Sequence, residues 1–175
     1  MWLGGLIVAL LAGCSQDDPP PSRLPPLSLA PSPSAPSAEP VPSAAQAATP
    51  QGAGEFARYF YDQVEQAFVD RDPERVRRLS APGCRTCADF IESLTRLRDN
   101  GERVDGAVYD ILAAEAPLST GDTTTVTVIY NGPPVVRYAA DGTVIAEEPE
   151  VRFMEEELVL VRADGAWLVM TVNRP

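Results

Sequence analysis

The chain has 175 residues and a net charge of −11, from 14 basic and 25 acidic side chains. Every basic residue is Arg, and Lys and His are both absent. This acidity argues against nucleic-acid binding, which needs a basic footprint; without His there is no His triad, no His general base and no His metal ligand. The length suits one folded domain at most.

Residues 2–12 read WLGGLIVALLA, an apolar run shorter than the ~20 residues needed to span a bilayer but of the right length for the apolar region of a secretory signal. It opens without Lys or Arg and ends in Leu11-Ala12-Gly13-Cys14, followed by Ser15, Gln16, Asp17 and Asp18. This resembles the lipobox of bacterial lipoproteins. The resemblance implies a signal peptide over residues 1–13, cleavage before Cys14, and a diacylglycerol thioether on the Cys14 sulfur, with palmitate-type acylation of the anchor. The mature protein is then expected on the extracytoplasmic face of the cell membrane, held there through Cys14.

Residues 15–50 hold eleven of the 18 prolines, set among Ser and Ala with few charges. Proline removes backbone donors, and the remaining side chains offer too little apolar area to offset the entropy of ordering. The expectation is a disordered, polyproline-II-rich tether over residues 14–54, able to reach roughly 100 Å when fully extended.

The composition changes at Gly54, and residues 55–175 read as an α+β domain. Phe56, Phe60, Val64, Ala67 and Phe68 recur at helical spacing over 55–70, with Tyr59 and Tyr61 beside them. Asp72-Pro73 starts a short second helix through Val76 and Leu79, stopped by Pro82-Gly83. A third helix from about Cys84 to Asn100-Gly101 carries Cys87, Phe90, Ile91, Leu94 and Leu97 on one face. The period then switches to two. A strand is expected over 103–115, with Val108, Ile111 and Leu112; another over Thr123–Tyr130 places Val126, Val128 and Tyr130 on one face, and Val135, Val136 and Tyr138 resume it after Asn131-Gly132-Pro133-Pro134. Val151–Arg162 and Ala166–Val172 make a hairpin around Asp164-Gly165. Three helices packed on one face of a curved antiparallel sheet of about four strands is the architecture these elements predict.

A long first helix, the stretch FVDRDPERVRRLSAP and the closing LVLVRADGAWLVMTV hairpin with Trp167 after its turn resemble the nuclear-transport-factor-2-like, or cystatin-like, α+β cone over about residues 55–173. More narrowly, the lipobox, the Pro/Ser tether, the Phe-rich first helix and Pro82-Gly83-Cys84-Arg85-Thr86-Cys87 resemble actinobacterial lipoproteins that carry an uncharacterised domain. The cone implies a pocket between helices and sheet, and some cone proteins are isomerases or dehydratases using Asp, Tyr or His. Tyr59, Tyr109, Tyr130 and Asp110 are the pocket polar groups that this resemblance suggests here. None aligns with a catalytic motif, so no catalytic residue is assigned.

With Cys14 lipidated, Cys84 and Cys87 are the cysteines left, and an exported setting favours a disulfide between them. Their spacing at a helix start matches the separation a disulfide tolerates. Such a pair is either a local staple or a redox-active Cys-x-x-Cys, whose thiol a helix N-terminus would activate. Two thiolates leave a zinc tetrahedron half empty. Glu147, Glu148, Glu150, Glu155, Glu156 and Glu157 read as a solvated, charge-protected edge, since successive carboxylates on a strand point to opposite faces and cannot converge on one ion. Arg71, Arg75, Arg77 and Arg78 read as partners of nearby acids. No cofactor or metal is implied. The function expected is a lipid-anchored module that binds an envelope protein, an envelope polymer or a small ligand. The alternatives are a pocket enzyme of the same cone, favoured by a pocket with a buried carboxylate in reach of a tyrosine, and a redox protein, favoured by an accessible disulfide.

Overall fold

The computed structural model describes residues 40–174 apart from 107–108 and 118–121. The expected signal peptide, Cys14 and most of the expected tether lie outside the described residues, as does Val108. The chain divides into two units, Met1–Ser37 and Ala38–Pro175, and every element below belongs to the second.

Helical structure is present N-terminal to the composition change at Gly54. A helical turn, α1 (Ser43–Gln46), precedes a long α2 (Pro50–Asp70), where the sequence had placed the start of the domain at Glu55. Thr49 caps α2 by accepting from the Gly52 N–H at 3.0 Å, and Pro50 occupies the first helical position. Gly54, which reads as a break, is a packing glycine: a Cβ there would lie 2.6 Å from the Ala114 carbonyl oxygen. Ala45 and Ala53 are buried in the core.

Two further helices follow, α3 (Glu74–Arg77) and α4 (Arg85–Asn100). Asp72 accepts from the Glu74 N–H at 3.0 Å, as expected of a helix start, but α3 is one turn long and ends before Leu79. The α4 C-terminus closes on Gly101, whose φ of 66° only glycine adopts freely, and the Glu102 N–H reaches back to the Leu97 carbonyl.

Among the described residues seven strands form two antiparallel sheets, where about four strands in one sheet were expected. A three-stranded sheet has the order β1 (Arg103–Asp105), β4 (Val135–Tyr138), β5 (Val144–Glu148); a four-stranded sheet has the order β2 (Asp110–Glu115), β3 (Thr123–Gly132), β6 (Val151–Ala163), β7 (Ala166–Asn173). The single strand expected over 103–115 is thus two strands in different sheets. Gly106, between them, has φ 86° and a Cβ there would sit 2.2 Å from the Pro134 carbonyl oxygen. Val135, Val136 and Tyr138 likewise start a strand of the other sheet and do not extend β3.

Helix α2 packs across β1, β2 and β3, while α4 packs on β7. Phe56, Phe60 and Val64 from α2, Leu94 from α4, Val126 and Val128 from β3, Leu158 and Leu160 from β6 and Val169 from β7 fill the core. The β6–β7 turn has positive φ at both Asp164 and Gly165, the twist that a two-residue hairpin favours. Trp167 follows it, buried, and its Nε1–H donates to the Ala47 carbonyl at 2.9 Å. Arg162 lies over the Trp167 ring at 5.0 Å and donates to the Gln46 carbonyl at 3.1 Å. The early segment is therefore fastened to the hairpin end of the sheet.

The α3–α4 link covers the outer edge of β7: the Ala81 N–H donates to the Val169 carbonyl and the Val169 N–H to that of Leu79, each at 2.8 Å. The Cys84–Cys87 disulfide, with a Cα separation of 5.3 Å, closes this link at the start of α4. Arg75 pairs with Asp70 at 2.6 Å and Arg77 pairs with Glu74.

Candidate functional site

At the end of the sheets remote from the β6–β7 turn, a cavity of about 580 Å³ opens between α4, the end of α2 and both sheets. Phe68, Phe90, Leu97, Val135, Val151 and Met154 give it apolar walls. Arg96, Glu102, Arg137, Glu148 and Arg174 supply its charged groups, and Ser93, Asn100, Tyr109 and Tyr130 its uncharged polar ones.

A bulge shapes one wall. Tyr130 faces Met154 and Gly132 faces Val151 across β3 and β6, so two residues of β6 stand opposite Asn131 alone. Phe153 takes a φ of 51° and its N–H donates to Asn131 Oδ1 at 3.0 Å. Strict alternation would turn Val151 and Met154 to opposite faces, and the bulge brings both to the cavity.

Behind this wall lies a buried polar cluster. Glu156 is 2% exposed. Its Oε2 accepts from the Tyr61 hydroxyl. Its Oε1 accepts from the Tyr130 hydroxyl at 3.1 Å and from Arg174 Nε at 2.6 Å. The rings of Tyr61, Tyr109 and Tyr130 form a triangle with centroid separations of 4.9, 5.8 and 5.2 Å. Burial and then the Glu156 charge push the Tyr61 hydroxyl pKa well above its usual value. Burial first, then electrostatic interaction with the neighbouring Tyr130 and Glu156, raise that of Tyr109. The Tyr130 hydroxyl is pushed up to about 12, by burial first and then by Glu156. All three hydroxyls therefore remain protonated donors across the physiological range.

The expected solvated acidic edge is thus corrected at its centre. Glu155 and Glu157 are exposed, but Glu156 shares the inward face of β6 with Leu158 and Leu160. That alternation was legible in MEEELVL, where a carboxylate falls in register with two leucines. Arg174 had no signal of its own.

Of the pocket groups suggested by the cone resemblance, Tyr109 and Tyr130 line the cavity; Tyr59 and Asp110 do not. Tyr59 is buried on α2, while Asp110 is exposed and accepts from Asn131 Nδ2 at 3.3 Å. Cys84 and Cys87 lie apart from the cavity, 4% and 1% exposed. Among the described residues no group of three or more His, Cys, Asp or Glu is placed to hold a metal ion.

Chemically, Glu156 is an anchor. Both its oxygens are occupied and it does not line the cavity. Its effect is to fix the Tyr130 ring and the Arg174 side chain at the wall, and a carboxylate so satisfied is a poor proton acceptor for a bound molecule.

The fold is similar to the crystal structure of the intermembrane space region of the chloroplast protein ARC6, with a TM-score of 0.54 and 13% identity over 71% of this chain and 95% of that one. Two proteins described as having a cystatin-like fold are also similar. One, from Nostoc punctiforme PCC 73102, gives a TM-score of 0.39 at 9% identity, covering 66% of this chain and 84% of that one. The other, from Caulobacter vibrioides, gives 0.41 at 13% identity, covering 66% and 83%. These likenesses concern the fold alone. Among curated proteins nothing matches. A family model does match, over residues 31–173, which takes in both sheets, the helices described above and every cavity-lining residue but Arg174, and the chain belongs to that family, the family of unknown function DUF6318.

Proposed function

We propose that this protein is a lipid-anchored envelope protein whose α+β domain holds a small amphipathic molecule in the cavity. The cavity carries the reading. Its volume of about 580 Å³ lies within the usual range for small-molecule sites, and its apolar walls with a few polar groups suit a ligand of mixed character. A concave site of this kind favours a small ligand over an envelope polymer or a protein partner. The test is fluorescence of the uncharged dye N-phenyl-1-naphthylamine with residues 15–175. Enhancement is expected with the parent, and Met154→Trp, which fills the cavity, should reduce affinity at least about tenfold while melting within a few degrees of the parent. Equal binding by both proteins would overturn the reading.

The buried Glu156 within reach of Tyr130 is the observation that favours the second reading, a pocket enzyme. Against it stands the occupancy of both carboxylate oxygens, which leaves no base facing the cavity from that cluster. The redox reading has less support, because an attacking thiolate must reach a sulfur and both cysteines are buried.

Anchoring rests on Leu11-Ala12-Gly13-Cys14 after the apolar run. No helix among the described residues is long and apolar enough to cross a membrane. Cys14→Ala should abolish lipid labelling and release the protein from the membrane fraction. An intact mass of the parent protein without added lipid would refute the anchor.

A further inference from the structure

The charges lining the cavity are nearly matched. Arg174 is committed to Glu156 at 2.6 Å, and Arg137 faces Glu102 at 3.8 Å. What remains is one of each sign: Arg96, whose hydrogen bond is to Ser93 at 3.3 Å, and Glu148. An ionic head group placed against apolar walls loses its hydration and finds no surplus of opposite charge to replace it.

Tyr109 is different from its neighbours. Tyr61 and Tyr130 both spend their hydroxyls on Glu156, whereas the Tyr109 hydroxyl has no hydrogen-bond partner among the described residues. Tyr109 is among the residues that line the cavity, and its hydroxyl is not one of the fully buried, unpaired side-chain atoms among the described residues. Held protonated, it can donate to an acceptor on a bound molecule but offers no negative charge to a cation. An anion close to it would meet the field of the nearby Glu156 and Glu148 carboxylates, while the Arg174 guanidinium that opposes them is already engaged by Glu156.

We propose that the cavity selects an uncharged amphiphile bearing a hydrogen-bond acceptor, such as a ketone or ester carbonyl, which takes its hydrogen bond from the Tyr109 hydroxyl. This rests on the cavity reading above and adds the ligand class to it. Apolar walls hold the body of the ligand, and one protonated phenol fixes the orientation of its acceptor.

The experiment measures, by calorimetric titration of residues 15–175, the affinities of 2-nonanone, nonanoate, nonylamine and 9-aminononanoate, with N-phenyl-1-naphthylamine binding measured alongside. The ketone should bind at least about tenfold more tightly than any of the three charged compounds. Tyr109→Phe should weaken the ketone about five- to tenfold, the scale of one hydrogen bond. It should leave the melting temperature within about 2 °C of the parent, because the hydroxyl has no hydrogen-bond partner among the described residues. Nonanoate, nonylamine or the zwitterion binding as tightly as the ketone, or a Tyr109→Phe variant with unchanged ketone affinity, would overturn the ligand class while dye binding left the cavity reading intact. Failure of the dye to bind the parent would overturn both.

Discussion

A fragment that begins at Glu55, where the composition of the chain changes, is expected to be much less stable than one that begins at Pro40. The shorter fragment loses α1, the first turn of α2 and the buried Ala45 and Ala53. It loses the Thr49 cap, worth about 1 kcal/mol. It also loses the Ala47 carbonyl that accepts from Trp167, worth about 1 kcal/mol, and exposes part of an indole that is 2% exposed in the intact domain. Together these amount to about 3 kcal/mol or more, which for a domain of this size lowers Tm by about 10 °C or more. Trp167 reports on it directly: the other tryptophan, Trp2, lies outside both fragments. Its emission should shift to the red in the shorter fragment, and limited proteolysis of the full chain should leave a core that starts before Val41. Fragments melting within about 2 °C of each other would contradict this account.

That boundary shows where sequence reading reached its limit. Glycine, alanine and proline near residue 50 carry the composition of a tether. Their role depends on neighbours far along the chain: Gly54 allows α2 to approach Ala114, and Ala47 offers its carbonyl to Trp167. The same limit applies at Gly106, which splits one expected strand into β1 and β2 because the Pro134 carbonyl approaches it, and at β5, whose segment VIAEE is exposed at four of five positions and so has no alternating signal. Elements whose pattern is set by their own burial were legible. In β3 the strict alternation of buried and half-buried residues matches the inward Val126, Val128 and Tyr130, and in α4 the stripe from Cys87 to Leu97 faces the core. The Asp164-Gly165 turn was legible because its chemistry is local.

The site was legible in part for the same reason. Tyr109 and Tyr130 were reached through the cone resemblance, and both line the cavity. Glu156 was hidden in a run of three glutamates whose outer members do lie at the surface, and only its register with Leu158 and Leu160 distinguishes it. Arg174 and the bulge at Phe153 are properties of how β6 and β7 end beside β3, which no local pattern encodes.

Raising the pH above about 10 is expected to unfold the domain steeply, and the tyrosine triangle is the reason. Unfolded tyrosines ionise near 10. In the folded domain burial and the Glu156 charge hold the Tyr130 hydroxyl protonated up to about 12, and shift Tyr61 and Tyr109 upward as well. Above pH 10 the unfolded chain binds fewer protons than the native state, so stability falls as pH rises. The stabilisation is fully present below the unfolded value and is lost as pH climbs through the folded ones. Each tyrosine held protonated contributes a slope of about 1.4 kcal/mol per pH unit, so two or three acting together give about 3–4 kcal/mol per unit. Against a typical stability of about 5–15 kcal/mol, that slope removes most of the margin within about two to four units. Tyrosinate absorbance near 295 nm should therefore rise together with the loss of secondary structure for these three residues, in one cooperative step. Tyr109→Phe should make the fall with pH about one-third shallower while leaving stability near pH 7 unchanged. Gradual ionisation of all the tyrosines near pH 10, with the sheets intact by circular dichroism, would show that the triangle is open to solvent and that Glu156 does not lie in a closed wall beside the cavity.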